Sequence, residues 1–145
     1  MKAHLNKKEI TKSPVYYFND LGFRNYAIGN MGNLSLPSQL GFVFQNFVFH
    51  MLKNNIPAHK ASLHFWRTKD KAEVDFILHA PSGIIPVEVK YSDLKTASMT
   101  RSFRNFIEKY NPGEAWIINL FFESEIRLNN TRVKFLPFFK IPSTL

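Results

Sequence analysis

The sequence predicts an α/β sandwich, one sheet with helices packed on it. Three observations carry this prediction. Leu40, Val43, Phe44, Phe47 and Met51 recur at helical spacing. Two apolar runs, Glu73 to Leu78 and Ile84 to Lys90, flank a Pro-Ser-Gly turn and read as a hairpin. Ala115 to Leu120 is a short, continuous apolar run bounded by a turn, the pattern of a buried parallel strand.

In chain order, residues 1–14 form a basic N-terminal arm and residues 15–145 a single domain. Val15-Tyr16-Tyr17-Phe18 is a strand candidate, and Asn19-Asp20 can cap a short helix over Leu21 to Ile28. Gly29 to Gly32 is a loop, because Gly and Asn cluster there. Pro37-Ser38 signals the start of the long helix, with Ser38 as its N-cap; Asn54-Asn55 ends it before Pro57. Phe42, Val48, Phe49 and Leu52 widen its apolar stripe. Leu63 to Trp66 is a short strand. In the next strand Val74, Phe76 and Leu78 face one way and Glu73, Asp75 and Ile77 the other. Met99, Phe103, Phe106, Ile107 and Tyr110 mark a second long helix, stopped by Asn111-Pro112-Gly113. Val133 to Leu136 is a last edge strand, limited by Pro137.

Composition narrows the function classes. A hydrophobic share of 45% supports a core without staples, and the absence of cysteine excludes disulfides and thiolate zinc sites. The chain suits the cytoplasm: no apolar run reaches the ~20 residues that span a bilayer, and the N-terminus has no apolar signal core. A net charge of +8 favours a polyanionic partner such as nucleic acid, or is simply a solvated basic surface.

The hairpin poses the chemical question, because it sets acids inside apolar runs. A two-residue loop at Pro81-Ser82 places Asp75 directly opposite Glu88 and Glu73 opposite Lys90; a three-residue loop makes Asp75 and Glu88 diagonal neighbours. In the first register two carboxylates share one face, their Cβ atoms roughly 5 Å apart. Like charges so placed need an offset. Lys90 is one candidate and a hard divalent cation is another. The plain alternative is a solvent face on which Glu73 and Lys90 make an ordinary pair.

The order helix, Asp75, turn, Glu88-Val89-Lys90, helix, buried strand resembles the PD-(D/E)xK nuclease superfamily. Lys12 to Asn25, Gly41 to Val48, Glu73-Val74-Asp75-Phe76 and Val87-Glu88-Val89-Lys90 are similar to a domain of unknown function. That domain usually forms the C-terminal part of bacterial and archaeal AAA+-type ATPases. The likeness runs from about residue 12 to residue 120. It implies a restriction-endonuclease-like three-layer sandwich with an αβββαβ core: a central mixed sheet with helices on both faces. It also implies Mg²⁺ or Mn²⁺ held by Asp75 and Glu88, Lys90 as the catalytic lysine, nucleic acid as ligand and an ATPase module as partner. Gln45 stands where the superfamily often has Glu, so a third anion is missing. Two functions follow: metal-dependent phosphodiester hydrolysis, or an inactive nuclease-fold module that binds DNA or protein.

Other motifs add little. No phosphate-binding G-x-x-x-x-G-K loop occurs, so the chain lacks that route to ATP. His4, His50, His59, His64 and His79 have no metal-site spacing, and there is no G-x-S-x-G elbow. Lys7, Lys8, Lys12, Arg67, Lys69, Lys71, Lys95, Arg101 and Arg104 can line a phosphate-tracking surface. Phe121-Phe122 and Phe138-Phe139 either close the core or form a docking surface.

Overall fold

The computed structural model describes residues 15–29, 31, 37–56, 59–68 and 72–142. The arm over residues 1–14 with Lys7, Lys8 and Lys12, and also Lys69 and Lys71, lie outside the described residues. Helices α1 (Leu21–Ala27) and α2 (Pro37–Asn55) precede strands β1 (Ser62–Arg67), β2 (Glu73–Ala80) and β3 (Gly83–Val89). Helix α3 (Arg101–Tyr110) leads to β4 (Glu114–Asn119), β5 (Ser124–Leu128) and β6 (Thr131–Pro137). The strands form one mixed, open sheet in the order β1-β2-β3-β4-β6-β5. The hairpins β1–β2, β2–β3 and β5–β6 are antiparallel, whereas β3–β4 and β4–β6 are parallel. No described helix is long and apolar enough to cross a membrane.

Helices cover both faces. On one, Phe44, Val48 and Leu52 of α2 pack against Phe76, Leu78, Val87, Trp116 and Ile118. On the other, Phe103, Phe106 and Ile107 of α3 pack against Val74, Ile77, Ala115, Ile117, Val133 and Phe135. Because β4 lends Trp116 and Ile118 to one layer and Ala115 and Ile117 to the other, its apolar run is continuous, as expected of a strand buried on both sides. The α3 boundaries follow their chemistry. Thr100 caps the start by accepting from Phe103 N–H at 3.2 Å, and Asn111 ends the helix at φ 45°.

Several expectations are corrected. Val15–Phe18 forms no strand, because Phe18 gives its backbone groups to the Asn46 side chain instead of a ladder. Helix α2 begins at Pro37, so Ser38 is helical rather than the cap, in keeping with proline's preference for the first helical position. Its buried line runs through Phe44, Val48 and Leu52, while Phe47 is exposed. The last edge strand is β5, not β6, since Asn129 at φ 54° and Asn130 join Leu128 to Thr131 in a hairpin. Each Phe-Phe pair splits. Phe122 and Phe138 pack against the two cores, while Phe121 and Phe139 face solvent.

This division is measurable. Phe135→Ala empties a fully buried site and should lower unfolding free energy by about 3–5 kcal/mol in urea denaturation. Phe121→Ala should change it by less than about 0.5 kcal/mol.

Candidate functional site

The β2–β3 turn has the two-residue loop, with Ala80 paired to Gly83 and the register continuing to Phe76 opposite Val87. Gly83 sits at φ 128°, a conformation that side chains rarely tolerate. The recorded ladder ends at Phe76–Val87. Beyond it β3 stays with β4, through Glu88–Ile117 and Val89–Ile118, while β2 follows β1. The two strands therefore fork at Asp75 and Glu88.

The acids do not share a face. Between His64–Ile77 and Trp66–Val74 the β1–β2 register slips, so Asp75 and Phe76 together oppose the single Phe65. This is a β-bulge, and it reverses the alternation. Val74 consequently joins the α3 core with Ile77, although strict alternation places it with Phe76 and Leu78. Asp75 is re-aimed toward α2, where its Oδ1 accepts from Gln45 Nε2 at 2.9 Å. Its Oδ2 accepts from Val89 N–H at 2.7 Å, standing in for the ladder carbonyl that the fork removes. Glu88 lies between Val87 and Val89, which pack on the α2 side, and so points to the α3 side. There its Oε2 accepts from Thr100 N–H at 3.3 Å, at the start of α3.

Neither carboxylate has a lysine or arginine within ion-pair distance among the described residues. The Lys90 ammonium donates to Ser98 O at 3.0 Å, and Glu73 pairs with Arg67 at 2.5 Å rather than with Lys90. Electrostatics follow from this placement. Burial, reinforced by the charges of Glu88 and Glu73 and opposed by the Val89 N–H, raises the Asp75 pKa to about 6. Burial also raises the Glu88 pKa, against the lowering effects of Lys90 and Thr100. Tyr17 is pushed upward by burial and then by the Asp75 and Glu73 charges. Its hydroxyl accepts from the same Gln45 Nε2 at 3.3 Å.

A resident divalent cation needs carboxylate oxygens turned to a common point. Here both Asp75 oxygens already accept hydrogen bonds, Glu88 is tied to the other helix, and Gln45 presents its NH₂ group to Asp75. No group of three or more His, Asp or Glu capable of holding a metal occurs among the described residues. The arrangement does not fit a resident Mg²⁺ or Mn²⁺ ion.

Of the basic candidates, Arg67 is engaged by Glu73 and Lys95 by Asp93. Arg101 and Arg104 are exposed on the first turns of α3, on the face opposite Phe103 and Phe106. Their helix begins at the Thr100 that binds Glu88. Tyr17, Asn46 and Thr100 belong to the site without being candidates in the sequence. Thr100 had the most legible signal, a cap-forming residue ahead of an amphipathic stretch.

The fold and the site define an α/β sandwich with a half-buried acid, Asp75, and a buried one, Glu88, at a strand fork, neither in an ion pair among the described residues. The chain belongs to the family described as Domain of unknown function (DUF4143), which it matches over residues 40–139. A search of curated proteins found no match.

The raised Asp75 pKa fixes a sign. The folded state holds this proton more tightly than the unfolded chain, whose value is near 3.8. Stability is therefore lost as pH rises from about 4 through about 6. Asp75→Asn, which does not titrate, should flatten that part of the profile, as measured by denaturant unfolding across pH.

Proposed function

We propose that this chain is a nuclease-like module of restriction-endonuclease-like architecture that binds nucleic acid without cleaving it. The helix-strand order, helices on both sheet faces, and the position of Asp75, Glu88 and Lys90 at the fork support the nuclease-like reading. The observation that carries the absence of cleavage is the Gln45 amide on Asp75. A neutral donor occupies the oxygen that a cleavage centre would offer to a metal ion. Phosphodiester hydrolysis depends on positive charge at the transferring phosphate. The Lys90 charge is instead directed to a backbone carbonyl.

Arg101 and Arg104 support binding to a phosphate backbone, as does the +8 net charge. The same reading implies an ATPase partner, which must come from outside these 145 residues because they contain no phosphate-binding G-x-x-x-x-G-K loop.

The test uses plasmid, single-stranded and branched DNA with Mg²⁺ or Mn²⁺. No cleavage is expected, with binding that weakens as salt rises. The double change Arg101→Ala, Arg104→Ala should weaken binding about tenfold and reduce the salt slope by roughly one per lost phosphate contact. Cleavage that disappears in both Asp75→Ala and Lys90→Ala would instead establish a working nuclease.

Gln45→Glu supplies the missing anion. This variant should melt below the parent at pH 7 and recover by about several degrees when Mn²⁺ is added, while the parent's melting temperature stays unchanged by the ion.

A further inference from the structure

The segment ahead of α1 is attached to the domain in an unusual way. The Asn46 side chain, fully buried, accepts from Phe18 N–H at 2.8 Å and donates to Phe18 O at 2.8 Å. One amide thus clamps both backbone groups of one residue, as a neighbouring strand would. The His50 Nε2 lies 2.7 Å from the same carbonyl. One residue earlier, Tyr17 stacks flat on Phe49, with centroids 4.3 Å apart and planes 9° apart, and tilts against Phe76 at 5.6 Å. Its hydroxyl reaches the Gln45 nitrogen that also holds Asp75.

Among the described residues little else holds this segment. Val15, Tyr16 and Phe18 are exposed, and α1, which follows directly, has no buried residue. The described side-chain tie from α1 to α2 is Arg24 over the Phe42 ring at 5.1 Å. A unit with so few buried contacts opens locally at a lower free energy than the core. The α3 side of the sheet keeps its own packing without it.

We infer that Val15–Phe18 is a strap that shuts the Asp75 site, with Asn46 as its latch and the Tyr17 ring as its plug. Closed, it narrows access to the half-buried Gln45–Asp75 pair on the α2 side of the fork. Lifting it exposes that pair while leaving the fold in place. Asn46 and Tyr17 are positioning residues: they act through the strap and not on a ligand. The inference does not rest on nucleic acid being the ligand.

The chain has no cysteine, so a single introduced thiol reports site opening without background. Gln45→Cys places it behind the strap and leaves the Asn46 clamp and the Tyr17–Phe49 stack intact. Labelling by a small neutral maleimide should be slow in this variant. It should quicken at least tenfold when Asn46→Ala or, separately, Tyr17→Ala is added. Amide exchange at Phe18 reports strap release, and exchange at Ile117 and Ile118 shows that the core remains folded. If Asn46→Ala fails to fold, Tyr17→Ala, which keeps the latch, carries the test. Labelling within twofold of the single variant while Phe18 exchange has quickened would overturn the inference. So would labelling of the single variant at the rate of an unstructured thiol.

Discussion

Because β2 sets both Asp75 and Phe76 against the single Phe65 of β1, every side chain upstream of that point changes sides. The consequences accumulate within a few residues. Val74 drops into the α3 core, Asp75 turns to α2, and Phe76 remains in the α2 core beneath Tyr17 and Phe49. The last recorded β2–β3 pair lies at the same place, which frees the Val89 N–H for a carboxylate oxygen. A bulge and a fork at one position convert an acid that regular alternation would place beside Glu88 into one joined to a different helix. The acidic end of the sheet takes its geometry from that one additional residue.

Two ways of burying an acid coexist in this sheet. Burial pushes the Glu114 carboxyl upward, but Lys134, Trp116 Nε1 and Arg132 together outweigh it and hold the pKa below its ordinary value. Asp75 and Glu88 receive only neutral hydrogen-bond donors: an amide side chain and backbone N–H groups. Such donors satisfy lone pairs but do not offset the loss of hydration of a full charge. The upward shifts at the fork and the downward shift at Glu114 are two outcomes of one balance, between burial and the charges and donors around each carboxyl.

The layers were legible in the sequence because the apolar periodicities are strong. The Phe103-Phe106-Ile107 stripe, the Ala115–Leu120 run and the Pro81-Ser82 loop have each a simple local cause, and the structure has them in place. What escaped was decided by non-local pairing. The bulge has no marker in Glu-Val-Asp-Phe, since it comes from how β2 registers against β1 across a loop. Val15–Phe18 has the composition of a strand, yet its backbone groups meet an asparagine 28 positions away. Strand β5 alternates between half-buried and exposed residues and has no apolar run to announce it, although Asn129-Asn130 is a recognisable turn. The acids themselves were legible as residues of interest. Their faces were not, because one inserted position inverts a period of two.

Two buried asparagines share one task. Asn46 binds the backbone of the strap, and Asn119 binds the segment after β4, accepting from Phe121 and Phe122 N–H and donating to Phe122 O. Each side chain supplies both a donor and an acceptor, so each can replace a strand's pairing edge where no strand is present. Leaving such groups unpaired in a dry interior costs roughly 1–3 kcal/mol apiece, which fixes the segments they hold even though those segments bury little surface of their own. At β4 the gain is a stable exit from the sheet. At α2 the same device lies one residue from Gln45, so the order of the strap and the environment of Asp75 are set by neighbouring positions on a single helix. Asn46, Gln45 and Tyr17 thereby form a line of contacts from the backbone ahead of α1 to the fork.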